Sequence, residues 1–180
     1  MIYIIAGPTG SGKSSMAVKL SERFSNAPII NADAFQIYKE MNIGTAKVPV
    51  DSKEYKLHHL LDIKTPDESF SVKEYQNLFR EKVKELEKDH KNIIVAGGTG
   101  LYIRASIYDY VFEDSLDDDV SDLEVLTNDE LYELLLKLDV EATKTIHKNN
   151  RKRVIRAISI ARTSNKLKSQ KIQEQKHEII

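Results

Sequence analysis

Gly7-Pro8-Thr9-Gly10-Ser11-Gly12-Lys13-Ser14, close to the start of a chain of 180 residues, is a full match to the phosphate-loop pattern G-x-x-x-x-G-K-[ST]. Its flanks suit it. Ile2-Tyr3-Ile4-Ile5 is a short apolar run of the kind that forms a buried strand, and Lys13 to Phe24 favours a helix, with Met16, Ala17, Leu20 and Phe24 apolar. Strand, glycine-rich turn and helix in that order is the arrangement in which the pattern has a mechanism. Gly7, Gly10 and Gly12 let the backbone turn tightly so that its N–H groups converge on an anion, and the helix N-terminus adds partial positive charge. Lys13 is then placed to reach a terminal phosphate, and the Ser14 hydroxyl suits Mg²⁺. The pattern names the group that is held, a di- or triphosphate, and leaves open what is done to it.

Working outward, the length bounds the chain to one domain, or one domain with a small appendage. With 41% hydrophobic and 31% charged residues it has the composition of a soluble globular protein. No apolar run approaches the roughly 20 residues that span a bilayer, so no membrane partner is expected. No signal peptide is visible, and the absence of cysteine excludes disulfides and cysteine–zinc sites; cytoplasm is the expected compartment. The net charge of −1 hides an uneven distribution. Glu113 to Glu130 is acidic without a single Lys or Arg, whereas Lys144 to Lys176 is rich in both, with Glu174 its one acid. The basic stretch suits nucleic-acid phosphates, or equally a solvated helix that pairs with the acidic stretch.

Pro28-Ile29-Ile30-Asn31 reads as a second strand, leading into a turn from Ala32 to Tyr38. Ser71 with Glu74 forms a capping box that opens a helix to about Lys88, with Val72, Tyr75, Leu78, Phe79, Val83 and Leu86 as its apolar stripe. Asn92 to Ala96 is a third strand, ended by Gly97-Gly98-Thr99-Gly100, and Leu101 to Tyr108 re-enters a helix. This alternation predicts an α/β fold, a P-loop NTPase-like parallel sheet with helices on both faces, plus a small helical appendage. The appendage comprises a helix capped by Asn128 and running to Leu138, a second from Asp139 to His147, and a third from Asn150 to Thr163. The resulting segments are 1–112 as the P-loop core, 113–149 as an acidic linker with a short helical insertion, and 150–180 as an arginine-rich helix and basic tail returning to the core.

In parallel α/β folds ligands sit at the carboxyl ends of the strands. Three such ends are readable: the phosphate loop, Asp33 and the Gly97–Gly100 turn. Asp33 is a candidate general base or metal-associated carboxylate. Thr99 offers a hydroxyl at a helix start. His58 and His59 lack metal-ligand spacing and read as structural or substrate-gating residues. Arg153 and Arg156 share a helix face, and guanidinium forks suit phosphates as well as they suit a solvated face.

Several segments, taken in order, resemble the tRNA dimethylallyltransferase (IPP transferase) family. They are the phosphate loop itself, Asn31 to Tyr38, Met41-Asn42-Ile43-Gly44-Thr45-Ala46-Lys47, His58-His59-Leu60-Leu61-Asp62, Gly97 to Tyr102, and Ile146 to Asn150 followed by Arg153 to Ala157. The chain departs from the family pattern at Ala34, Lys148, Asn150 and Ser159, and the family continues past the arginine helix. The resemblance implies transfer of a dimethylallyl group from dimethylallyl diphosphate to the exocyclic amine of the adenosine beside the anticodon of tRNA. Gly7, Pro8, Thr9, Gly10, Ser11, Gly12, Lys13 and Ser14 would hold the diphosphate, with Ser14 on Mg²⁺. Asp33, Thr99 and Arg153 would be catalytic. Asp33, Ala34, Phe35, Gln36, Lys152, Arg153 and Arg156 would meet the anticodon stem-loop of the tRNA, and a monomer is expected. Two other readings remain open on the residues: a P-loop kinase of a nucleotide or small metabolite, in which the loop binds ATP, and a truncated, inactive RNA-binding remnant. An enzyme related to the tRNA dimethylallyltransferases that prenylates free adenine nucleotides is a further reading.

Overall fold

The computed structural model describes residues 1–108 and 120–163. Four parallel strands form one sheet in the order β1-β4-β2-β3, with β1 at Ile2–Ala6, β2 at Ile29–Asn31, β3 at His58–His59 and β4 at Ile93–Gly97. Side chains alternate faces along a strand, and the two faces fill separately. Ile30, Ile93 and Val95 face α2 (Val72–Leu86) and α3 (Gly100–Ile107), whose Tyr75, Phe79, Val83, Leu86 and Tyr102 complete that layer. Ile29 and Ile94 face α1 (Lys13–Arg23) through Ala17. The parallel sheet with helices on both faces is therefore as the sequence predicts. The capping box of Ser71 and Glu74 is present at the start of α2, and all six stripe residues of that helix pack in the core.

Sequence reading missed β3. It is two residues long and consists of two half-buried histidines, so it carries none of the apolar run that marks the other strands. Its pairing of Ile29 with His58 and Ile30 with His59 sends the two rings to opposite faces of the sheet.

The described residues from 120 onward form a second, all-helical unit with its own core of Leu123, Leu131, Leu135, Ala142, Ile146, Val154, Ala157 and Ile158. Its helices are α4 (Ser121–Glu124), α5 (Asn128–Leu138), α6 (Val140–Thr143) and α7 (Arg151–Thr163). The cap of α5 is Thr127 in a capping box with Glu130, not Asn128, whose side chain instead accepts from Arg151. Asp139 does cap α6, but that helix ends after one turn at Thr143 and does not reach His147. α7 packs on α5 within this unit. Opposite charges meet there, Arg162 with Asp122 at 2.7 Å and Lys148 with Asp129 at 2.9 Å, so part of the basic stretch pairs with the acidic one. The 112/113 boundary, the acidic residues from Glu113 to Asp119 and the tail beyond Thr163 lie outside the described residues.

Gly97 ends β4 where that strand runs closest to the turn after β2. A Cβ built on it would lie 2.1 Å from the carbonyl carbon of Ala32 and 2.2 Å from its oxygen. Backbone cannot yield as a flexible side chain would, so Gly97→Ala is expected to cost about 1–3 kcal/mol or more, read as a lowered urea midpoint at unchanged m-value.

Candidate active site

The phosphate loop lies between β1 and α1. Gly10 and Gly12 both adopt φ of +82°, a left-handed conformation that only glycine enters at no cost, which explains their place in the pattern. Gly12 is the N-cap of α1 and has no side chain to cap it, so the first N–H groups of the helix stay open to an anion. The Lys13 ammonium folds back over the loop and donates to the Pro8 carbonyl at 2.6 Å.

The other two strand ends arrive at the same place because β4 lies between β1 and β2. Gly98 is the meeting point: a Cβ built on it would lie 3.3 Å from the Gly7 oxygen, 3.4 Å from Asp33 Oδ2 and 3.9 Å from Lys13 Nζ. The structure thus brings together the loop, Asp33 and the Gly97–Gly100 turn, which the sequence places far apart.

The N–H groups of Asp33, Ala34 and Phe35 each meet a side-chain oxygen. Asp33 N–H donates to Asn31 Oδ1 and Phe35 N–H to Asp33 Oδ1, both at 3.0 Å, and Ala34 N–H donates to Thr99 Oγ1 at 2.9 Å. Thr99 therefore holds the turn through its oxygen. Gln36 donates from Nε2 to the Thr45 carbonyl at 2.9 Å and ties the turn to the loop that carries Met41 and Ile43.

Two cavities open around this turn. One, of about 290 Å³, is lined by Thr9, Gly10, Gly12, Lys13, Ser14 and Ser15 together with Asn31, Asp33, Gln36, Thr45, Ala46, His58, Ala96 and Gly97. The other, of about 460 Å³, is lined by Thr9, Asp33, Phe35 and Glu40 to Thr45. Thr9, Asp33 and Thr45 border both. The second is flanked by exposed apolar side chains, with Phe35 63% and Ile43 97% exposed.

Sequence reading missed the supports of this site. Asn31 is one. The ion pair of Lys47 with Asp62 is another: at 2.6 Å, with the lysine side chain fully buried, it joins two of the segments on which the family resemblance rests. Lys47 also donates to the Tyr38 carbonyl, and Tyr55 donates its hydroxyl to Asp62 at 2.7 Å. Burial and the Asp62 charge push the Tyr55 phenol up to about 12. The signal was present, since a lysine and an aspartate stand inside apolar motif segments, but nothing in a single sequence says that they pair.

His58 lines the first cavity and His59 lies on the opposite face of the sheet, so the two do not act as a pair. His58 Nδ1 lies 2.8 Å from the Glu54 carbonyl. A carbonyl only accepts, so Nδ1 carries the proton. Among the described residues no group of three or more His, Cys, Asp or Glu side chains could hold a metal ion. Lys152, Arg153 and Arg156 are exposed on α7 of the helical unit. Arg151, by contrast, is turned into that unit, onto Asn128 and the carbonyls of Leu123 and Glu124.

A parallel α/β sheet whose strand ends bring a carboxylate close to a phosphate loop defines a phosphate-loop fold with an acidic side chain beside the anion cradle. Over residues 36–179 the chain matches the IPP transferase family, and it belongs to that family. It is 44% identical to a tRNA dimethylallyltransferase of Anoxybacillus flavithermus, over 99% of this chain and 58% of that protein. The crystal structure of a tRNA isopentenylpyrophosphate transferase from Staphylococcus epidermidis is 41% identical with a TM-score of 0.55, over 93% of this chain and 56% of that one. A eukaryotic dimethylallyltransferase solved acting on tRNA is 29% identical with a TM-score of 0.75, over 94% of this chain and 45% of that one. The chain spans a little under three fifths of the length of the bacterial relatives.

Two outcomes test this account of the site. Lys47→Met leaves the Asp62 carboxylate beside Tyr55 without its cation and is expected to destabilise the fold by about 3–5 kcal/mol; the double variant with Asp62→Leu should recover part of that in urea denaturation. Burial also holds His58 and His59 below the ordinary histidine value of 6.5, with the Lys82 charge adding to the effect at His59. Groups kept neutral in the fold contribute stability above their unfolded pKa and lose it as pH falls through the depressed one. The urea midpoint should therefore fall as pH drops below about 6.5, and less so in a His58→Gln/His59→Gln variant.

Proposed function

We propose that the chain carries the catalytic core of a tRNA dimethylallyltransferase, moving a dimethylallyl group from dimethylallyl diphosphate to the exocyclic amine of the adenosine beside the anticodon. The observation that carries the reading is that the Asp33 carboxylate and the Lys13 ammonium both lie within 4 Å of the point a Gly98 Cβ would occupy, within a chain of the IPP transferase family. An anion-holding cation and a base flank one small space, as transfer from a diphosphate to an amine requires.

The diphosphate occupies the first cavity, against the loop N–H groups and the start of α1, with Lys13 turned from the Pro8 carbonyl onto a phosphate oxygen. The acceptor adenine enters the second cavity past Phe35 and Ile43, whose exposed apolar surfaces suit an extruded base. The allylic carbon–oxygen bond breaks, the bond from that carbon to the amine nitrogen forms, and Asp33 takes the amine proton. Pyrophosphate leaves with its developing charge met by groups already oriented for it. Mg²⁺ fits this donor set: the Ser14 hydroxyl is a hard oxygen ligand at the cavity wall, and a cation that keeps its waters and takes its other ligands from phosphate needs no carboxylate cage. When bound it neutralises diphosphate charge. Lys152, Arg153 and Arg156, exposed on α7, serve as contacts for RNA phosphates. A monomer in the cytoplasm is the proposed setting; no described helix is long and apolar enough to cross a membrane.

The test is incubation of the chain with labelled dimethylallyl diphosphate and, in separate arms, an anticodon stem-loop, AMP and ATP. Label is expected in the stem-loop. Asp33→Ala should lower the rate by about 10²–10⁴-fold while leaving pyrophosphate binding in place. Label in AMP, or phosphate released from ATP to an acceptor, overturns the proposal. Stem-loop binding without label would assign the chain an RNA-binding role instead.

A further inference from the structure

The side-chain amide of Asn31 closes on both polar groups of the Asp33 backbone. Oδ1 accepts from the Asp33 N–H and Nδ2 donates to the Asp33 carbonyl, each at 3.0 Å. Nδ2 also donates to the Leu60 carbonyl at 3.1 Å, where the chain leaves β3 in a left-handed conformation. Asn31 is only 2% exposed, and its own carbonyl accepts the Tyr75 hydroxyl at 3.1 Å. Tyr75 in turn stacks on Tyr102 with ring centroids 4.1 Å apart. This clasp has the effect of a turn fastened from inside. It fixes the peptide planes on both sides of the Asp33 Cα and so sets the direction of the Cα–Cβ bond.

The consequence for the carboxylate follows from its own contacts. Oδ1 is occupied by the Phe35 N–H, and Oδ2 lies beside Gly98, 3.4 Å from where a Cβ would stand, a point that Lys13 Nζ also approaches to 3.9 Å. We infer that Asn31 is the positioning residue for Asp33, holding Oδ2 as the oxygen that receives the acceptor proton. The inference rests on the proposed role of Asp33 as base. Few other side chains meet the geometry. Alanine offers neither group and serine cannot reach both at once. Aspartate, of the same shape, has no donor, so it would turn a lone pair towards the Asp33 and Leu60 carbonyls.

The experiment compares Asn31→Ala, Asn31→Asp and Asn31→Ser in the full chain, each alone and combined with Asp33→Ala. Transfer kinetics on the anticodon stem-loop are measured beside calorimetric binding of pyrophosphate with Mg²⁺. The single variants are expected to lose about 10–100-fold in kcat, with KM for the diphosphate and the number of pyrophosphate sites per chain unchanged. Asn31→Asp should also move the acid limb of the kcat/KM profile to higher pH, because a second carboxylate beside Asp33 disfavours its charge. In the Asp33→Ala background the Asn31 substitutions should have no further effect. Unchanged kcat in the single variants, losses that multiply with that of Asp33→Ala, or a kcat loss matched by an equal loss of pyrophosphate sites would each overturn the positioning role. Wild-type rates in Asp33→Ala would instead remove the base on which the inference rests. Where one substitution prevents folding, the kcat, KM and pyrophosphate-site comparison in the remaining variants decides.

Discussion

The site depends on a hydrogen-bonded ladder that does not stop where its strands do. β2 and β4 pair in register up to Asn31 and Ala96. Beyond that point Ala32 N–H still donates to the Ala96 carbonyl at 2.8 Å and Thr99 N–H to the Ala32 carbonyl at 3.1 Å. The Ala34 N–H bond to the Thr99 hydroxyl continues the series through a side chain. Two turns that would otherwise be independent loops are thereby locked at one spacing, and Gly97 lets the backbones approach that closely. With β1 on the other side of β4, the phosphate loop is held against the same pair of turns. The alignment of cation, carboxylate and anion cradle follows from the sheet order more than from any single side chain.

Past the ends of the strands, backbone polar groups lose their sheet partners and need others, because burying them unsatisfied is costly. Two buried side chains answer this need on neighbouring turns. Asn31 serves the Asp33 and Leu60 carbonyls, and Lys47 serves the Tyr38 carbonyl while neutralising Asp62. Leu60 and Asp62 both have positive φ, at 59° and 53°, so the segment between these anchors is held in conformations that side chains rarely favour. The arrangement concentrates polar order at the cleft floor and leaves Phe35 and Ile43 free at its mouth.

Much of this was legible in the sequence, and the rest was hidden for identifiable reasons. The phosphate loop, α1, β2, the capped α2 and β4 carry periodicity or a turn chemistry that local interactions decide. Asp33 could be placed because it directly follows a strand in a fold whose ligand end is known. β3 was hidden because its pairing is imposed by β2 and not by its own two residues. Asn31 was read as the end of a strand and the start of a family segment, without a role of its own, since an asparagine there looks the same whether it faces solvent or clasps its neighbour. Thr127 lost its role to Asn128 in the reading because both are good caps; the deciding residue was Glu130, three positions after the threonine. α6 was overextended because Asp139 marks a start and no residue marks the stop.

The pairing of β1 with β4 joins Ile2 to Ile93, and the terminal amine of Met1 bonds the Lys91 carbonyl. Contacts of such long sequence separation form late, because the entropy of closing the loop must be met before they reward it. On a ribosome, the glycine-rich segment is therefore made well before it can take its final shape. The glycine-rich segment leaves the tunnel with no β4 to lie against and remains an unformed cradle until about ninety further residues have followed. The glycine-rich segment and the Gly97–Gly100 turn reach their mutual positions only once β4 has been made and docked.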